Sequence, residues 1–337
     1  MLLRICLICY LLTNVIFGQI DSSLFQAEDL LKIEFRYDQR QLRKNKYKDI
    51  YLPSNLQLTW PNGELTEGQV GVKPRGNFRR RHCQYAPLKV DFSPGEFSHP
   101  QLAKLKSIKL VCPCQPGDIY QQYIFQEYLV YKVYQLFTSK SFKVRLAEFT
   151  FQDTRKDKNY TQIGFFIEDI DELAERNNCY EFEPEAMLSQ YLDQDQLKLM
   201  SLFQFMVGNG DWYIGNLHNL KLIKIDDFTR SDVYPIPYDF DYTGMVNARY
   251  AIPNERIGTT TVRERIYLGP CWEEDELQNM IARFLNLRSE IFQLYEEQSL
   301  LSDYQKRQSI QYLEEFYQLL EKPERLIRIL NATCKKP

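Results

Sequence analysis

The chain has 337 residues, 44% of them hydrophobic, 26% charged and 14% aromatic, with a net charge of -3. That length exceeds one small core and fits two lobes or domains, while the composition is that of an ordinary water-soluble globular protein. The near balance of charge excludes a global field that would recruit nucleic acid or an acidic membrane, so any anion recognition must be local.

Residues 1–18 read as a signal peptide. Arg4 gives a positive start, Ile5 to Phe17 is an apolar run interrupted by Thr13 and Asn14, and Gly18 precedes polar Gln19 and Asp21. The run falls short of the roughly 20 apolar residues of a spanning helix. An uncleaved N-terminal anchor is the alternative. No later stretch is apolar enough to cross a bilayer, so the expectation is an exported chain, periplasmic, extracellular or in a secretory compartment, with no membrane span after cleavage. Six cysteines follow residue 18: Cys83, Cys112, Cys114, Cys179, Cys271 and Cys334. An even number in an exported chain is compatible with disulfides, and fifteen pairings are open. A zinc set of His82, Cys83, Cys112 and Cys114 lacks the spacing of structural zinc sites. Asn159-Tyr160-Thr161 and Asn331-Ala332-Thr333 are glycosylation sequons.

Period-two alternation predicts strands over 31–35, 56–60, 69–72, 88–92 and 107–111. A helix over 119–137, with Asp118 as its cap, holds neither glycine nor proline. Strands follow over 143–151 and 162–167, flanking the charged, turn-like segment 153–159. These elements make a mostly antiparallel sheet with one helix against it. A second helix over 191–207 ends at Gly208-Asn209-Gly210. Short strands are expected over 217–225 and 233–237, then helices over 273–298, 302–320 and 323–330. The expectation is an α+β chain with a β-rich first lobe, residues 19–168, and an α-rich second lobe, residues 169–337.

The segment that carries chemistry is Asp211-Trp212-Tyr213-Ile214-Gly215-Asn216, followed some twenty residues later by Tyr238-Asp239-Phe240-Asp241. Phosphoryl transfer needs a carboxylate to orient the attacking hydroxyl and oxygen ligands to hold magnesium on the phosphates. Protein kinases supply an Asp and then an Asn at this spacing, and a second Asp on a nearby loop. The competing reading is that Asp211, Asn209, Asp239 and Asp241 cap turns, as Asp and Asn commonly do. A calcium reading of Asp239 and Asp241 lacks the EF-hand pattern.

Four stretches resemble the CotH (spore coat protein H) kinases. They are Lys73-Pro74-Arg75-Gly76-Asn77 with Ala86 to Phe92, Ile163 to Asp171, Asp211 to Asn219, and Ile236 to Gly244. Tyr238 stands where that family often has Trp, and no ordinary Gly-rich phosphate loop is present. The resemblance implies an atypical protein-kinase-like two-lobed fold and transfer of the ATP γ-phosphoryl group to a protein Ser or Thr with Mg2+. It implies Asp211 as the catalytic carboxylate and Asn216, Asp239 and Asp241 as metal ligands. Arg75 and Lys89 would meet the nucleotide phosphates, and Glu127 would pair with Lys89. The alternative is a catalytically inactive CotH-like binding or assembly protein of the cell envelope or extracellular space.

Read from the residues alone, Lys89 is an ordinary solvated lysine, because Leu88, Val90 and Phe92 share the other face of its strand. Glu127 is more informative. It is the one carboxylate inside the 119–137 helix, and a buried acid there demands a cationic partner. Exposure beside Lys132 is the competing reading. Lys73, Arg75, Arg79, Arg80 and Arg81 form a basic cluster that suits phosphate, an acidic partner or a solvated hairpin tip. His218 follows the loop, but no Ser or Cys nucleophile motif accompanies it.

Overall fold

A computed structural model describes residues 24–76 and 78–335. The expected signal segment, residues 1–18, lies outside the described residues, as do Cys6 and Cys9. In chain order the first elements are β1 (Leu31–Tyr37), α1 (Gln39–Lys44), β2 (Leu52–Thr59), β3 (Leu65–Pro74), α2 (Phe78–His82), β4 (Leu88–Asp91), β5 (Ser107–Val111), α3 (Asp118–Phe137), β6 (Val144–Asp153) and β7 (Lys158–Ile167). Then come α4 (Ile170–Glu175), β8 (Cys179–Glu181), α5 (Gln194–Val207), β9 (Leu220–Ile225), β10 (Val233–Pro237), α6 (Glu274–Asn286), α7 (Arg288–Glu297), α8 (Asp303–Leu320) and α9 (Pro323–Thr333).

The two-lobed kinase-like architecture expected from the sequence is corrected by the topology. The chain is α+β, but its first seven strands close into a barrel in the order β1-β2-β3-β4-β5-β7-β6. Closure is made by β1, which pairs antiparallel with β2 on one side and parallel with β6 on the other, Leu31 opposite Ala147 through Tyr37 opposite Asp153. Both edges of β1 are thereby satisfied, which removes the open edge an isolated sheet would expose. A second, three-stranded sheet has the order β10-β9-β8.

Strand alternation sends one set of side chains into the barrel and the other outward. Ile33, Phe35, Val72, Val90, Ile108, Leu110, Phe149 and Phe166 fill the interior with other residues of one apolar cluster. The outward residues Val111, Val144, Leu146, Phe165 and Ile167 belong to a different cluster, which runs through α3 and α5 to Leu330 in α9. This second core therefore crosses the boundary at 168 and 169 that the sequence suggested. The helix α3 is buried on most of its sides from Tyr123 to Tyr134, Gln126 and Glu127 included, as expected of a helix enclosed between two layers.

Two smaller expectations also change. The helix expected over 273–298 is two helices, broken at Leu287. The strand expected from 217 starts at Leu220, because Leu217 and Asn219 adopt left-handed backbone, φ 54° and 52°. Cys83 pairs with Cys114 and Cys271 with Cys334, while Cys112 and Cys179 are free and buried. The Cys83–Cys114 bond takes two members out of the zinc set.

Candidate functional site

The site begins where α5 ends. Gly208 caps the helix at φ 65°, and a Cβ at that position would collide with the Tyr312 hydroxyl. The chain then enters the loop 209–219, whose tip is a tight turn with Tyr213 and His218 bridged through their backbones. After the β9–β10 hairpin the segment 238–245 returns to this loop. Tyr238 N–H donates to Asn219 O at 3.2 Å, Gly244 N–H to Gly208 O at 2.9 Å, and Met245 N–H to Val207 O at 3.0 Å. Backbone hydrogen bonds thus join the two acidic loops.

Asp211 is held on three sides. Its N–H donates to Asn209 Oδ1 at 2.9 Å, Asn219 Nδ2 donates to its Oδ2 at 3.0 Å, and His218 Nε2 lies 2.9 Å from its Oδ1. Asn219 also donates to the Asp211 carbonyl at 2.6 Å. The carboxylate is half-buried and lines a cavity of about 450 Å³ with Asn216, His218 and Tyr242. Asn216 is exposed at the turn. Asp239 does not line this cavity, so Asn216 and Asp239 are not brought to one cavity by the described residues.

Asp239 sits two residues after β10 with φ 64°, a left-handed conformation that costs a non-glycine residue about 1 kcal/mol or more. Tyr131 of α3 accepts its N–H at 2.9 Å. The Asp239 carboxylate has no hydrogen bond or ion pair among the described residues. Burial, then the neighbouring Asp241 charge, pushes it up to about 6, while Arg79 and Arg75 oppose the rise and Asp211 adds to it. The carboxylates at 211 and 239 thus act on each other.

Glu127 is almost wholly buried, at 1% exposure. Its partner is not Lys89, and the expected Lys89–Glu127 pair is corrected here. Arg79 Nη2 reaches Glu127 Oε2 at 2.7 Å, and the same guanidinium contacts Asp241 Oδ2 through Nε at 2.9 Å and Nη2 at 2.8 Å. One guanidinium therefore joins α2, α3 and the loop after β10, using the planar fork that a lysine lacks. Asp241, expected as a metal ligand, is engaged in this pair. Burial pushes Glu127 up to about 8 against the pull of Arg79, with Asp241 and Asp239 adding to the rise. Burial works against the Arg79 charge, but Asp241 and Glu127 outweigh it and hold Arg79 well above its ordinary value. Counting Glu127, Asp239, Asp241 and Asp211 against Arg79 and Arg75, the site lacks two positive charges when every acid is ionised.

Lys89 lies on the outer face of β4, opposite Lys73 of β3 and Lys109 of β5. It has no ion pair or hydrogen bond among the described residues. Like charges directly opposite on a sheet face repel, and in this row Lys73 is paired with Asp49. Lys109, which sequence reasoning did not single out, points toward Tyr238, with Nζ 6.0 Å from that ring and 5.6 Å from Phe142. Burial, together with Arg75 beside it, lowers Lys109 to about 8. Arg75, an expected phosphate ligand, acts on both Lys109 and Asp239, so its charge is felt at the acidic loops.

Other residues missed in sequence are Asn219 and Tyr131, which orient Asp211 and Asp239, and the role of Arg79 within its basic run. No group of three or more His, Cys, Asp or Glu side chains is arranged to hold a metal ion among the described residues. Magnesium does not require such a cage, because it keeps several waters and binds through one or two carboxylates plus substrate phosphates. No family model matches the chain and no curated protein matches it.

Proposed function

We propose that the chain is a magnesium-dependent phosphotransferase that moves the γ-phosphoryl group of ATP to a protein Ser or Thr hydroxyl. The observation that carries the reading is the joining of two acidic loops by backbone hydrogen bonds, which sets Asp211 and an Asp239 carboxylate without hydrogen bonds in each other's field.

Asp239 is the carboxylate that would hold the metal; Asn216, expected as its fellow ligand, lines the Asp211 cavity, which Asp239 does not share. When bound, the metal supplies charge neutralisation on the phosphates. Asp211, its oxygens directed by His218 and Asn219, orients the acceptor hydroxyl and takes its proton. Arg75, Lys89 and Lys109 offer cations to the phosphate oxygens. Glu127 and Asp241 act differently, fixing α3 and the Asp239 loop against α2 through Arg79. The four stretches resembling CotH kinases support the activity; the barrel architecture does not. Two disulfides, and the absence of any helix long and apolar enough to cross a membrane among the described residues, are compatible with an exported protein. An exported enzyme of this kind works where ATP is supplied, in a secretory compartment or near a nucleotide source.

A second reading is a non-catalytic binding or assembly protein, favoured by the engagement of Asp241 with Arg79. Incubation with γ-labelled ATP, Mg2+ and a Ser/Thr protein acceptor separates the two. The wild type transfers label, and Asp211→Asn lowers the rate by about 100-fold or more. Transfer that is unaffected by Asp211→Asn removes Asp211 as the catalytic group. Transfer absent from the wild type supports the non-catalytic reading.

A further inference from the structure

The barrel holds a second cavity, apart from the acidic loops. It opens at the end of the barrel where β1, β3, β5 and β6 finish and β4 and β7 begin, and its volume is about 550 Å³. Barrel mouths are preferred places for small ligands, and this volume lies within the range such ligands use. Its lining includes Tyr37, Pro74, Leu88, Cys112, Phe151 and Gln162 from the strands or their ends, and Arg43 and Lys46 from α1 and the turn after it.

Three properties define what it would take. First, the charged residues of the lining are Arg43, Lys46 and Arg80, and it contains no Asp or Glu. Asp49 feels the Arg80 charge, but it is exposed, engaged with Lys73, and outside the lining. Asp153, at the end of β6, accepts from the Arg155 backbone N–H and is also outside it. Second, two donors of the lining are buried without a strong acceptor: Arg80 Nε has no partner, and Gln162 Nε2 has only the Cys112 thiol. Gln162 faces the Cys112 thiol, and burial pushes that thiol far up, so it stays neutral. A neutral thiol is a weak acceptor. Leaving a buried donor unmatched costs about 1–3 kcal/mol, which an acceptor-bearing ligand would recover. Third, the rings of Tyr85, Tyr160 and Phe151 form a near-parallel run. Their centroids are 4.4 Å apart for Tyr85–Tyr160 and 4.9 Å for Phe151–Tyr160, with interplanar angles of 22° and 24°. Within the run the rings cover one another's faces, and buried Phe151 is also stacked on Phe35 at 5.9 Å, so half-buried Tyr85 at the end of the run is the ring left to stack on a ligand.

We propose that the barrel mouth is a binding site for a small organic anion with a flat aromatic body. The acid group meets Arg80 and Gln162, and Arg43 and Lys46 at the rim attract it. The ring body lies against Tyr85, at the end of the Tyr85–Tyr160–Phe151 run. Arg79 and Arg80 are neighbours on α2 and serve different places, the first the acidic loops and the second the barrel mouth. Binding here does not depend on phosphotransferase activity at the acidic loops.

The test is a fluorescence titration of the whole protein with anilinonaphthalene sulfonate, an aromatic anion, and with uncharged phenylnaphthylamine. The expected result is saturable one-to-one binding of the sulfonate, with the uncharged probe about tenfold weaker. Arg80→Gln and Gln162→Leu should each weaken the sulfonate by about tenfold, since each removes a donor to a charged group. Arg43→Gln, an exposed change on α1 that keeps the fold, should weaken it less and make the affinity less sensitive to salt. Circular dichroism of each variant checks folding. The proposal is overturned by absence of saturable sulfonate binding, by equal affinity for charged and uncharged probes, or by variants that fold and bind as the wild type does.

Discussion

Replacing Arg79 with methionine removes the guanidinium that Glu127 and Asp241 share while keeping most of the side-chain volume. Both carboxylates are buried, and Glu127 reaches Arg79 at 2.7 Å. Removing one partner of a buried pair costs about 3–5 kcal/mol when the charge left behind stays ionised. The loss is smaller when that acid can take up a proton, because the remaining cost is then an unmade hydrogen bond, about 1–3 kcal/mol. The direction with pH follows. Glu127 is raised from 4.5 to about 8 in the folded protein, so the folded state holds its proton more firmly than the unfolded state. Its contribution to stability is complete below pH 4.5 and is lost as pH rises toward 8. Without Arg79 the carboxyl rises further and the decline steepens. Urea unfolding of wild type and Arg79→Met should therefore show a loss of about 1–3 kcal/mol at pH 5 and a larger loss at pH 8, approaching about 3–5 kcal/mol only where both acids are ionised. Arg79→Lys should recover part of this but not all, since an ammonium cannot span both acids in the same planar fork. A loss below about 1 kcal/mol at both pH values, or a larger loss at pH 5 than at pH 8, would refute the shared-guanidinium account.

Magnesium binding should release protons at neutral pH, because Asp239, raised to about 6, and Glu127, raised to about 8, hold protons that a cation displaces. Affinity should rise with pH between 6 and 8, read by calorimetry in buffers of different ionisation enthalpy, and a flat profile would contradict it. Tyr131→Phe strips the acceptor from the Asp239 N–H and should cost about 1–2 kcal/mol in urea unfolding, with weaker metal binding as the readout specific to the site. Joint replacement of Cys271 and Cys334 by serine opens a link spanning 63 residues and should cost at most about 4 kcal/mol, measured by the same unfolding assay. Lys109→Met should weaken nucleotide binding more than Lys89→Met does, since Lys109 points toward Tyr238 and shares the field of Arg75; equal effects would speak against that placement.

The parts of the molecule legible in sequence were those that depend on neighbours along the chain. Alternation marked most barrel strands, such as 31–35 and 107–111, and the glycines around Asn209 marked the stop of α5. Glu127 was the one carboxylate inside the 119–137 helix, and a buried cationic partner was one of the two readings it left open, beside exposure next to Lys132. The identity of the cation was not legible. Lys73, Arg75, Arg79, Arg80 and Arg81 look alike in sequence, and α2 spans five residues, too few to show a face by periodicity. Barrel closure was hidden for a related reason: the parallel pairing of β1 with β6 joins residues more than a hundred positions apart and leaves no mark in either strand. The left-handed backbone at Leu217, Asn219 and Asp239 was also invisible, since strain at such positions is imposed by the loops and hydrogen bonds that surround them. In the acidic loops the residue types were visible and their orienting partners were not. Asn219 and Tyr131 come into place through folding, not through spacing.

The central claim is that Asp211 and Asp239 serve one nucleotide–metal site. Calorimetric titration of wild type and Asp239→Ala with ATP in the presence of Mg2+ tests it most directly. The account predicts saturable binding by the wild type, dependent on Mg2+, and affinity at least about tenfold lower in Asp239→Ala. Heat that is the same in both proteins, or absent from both, would contradict it.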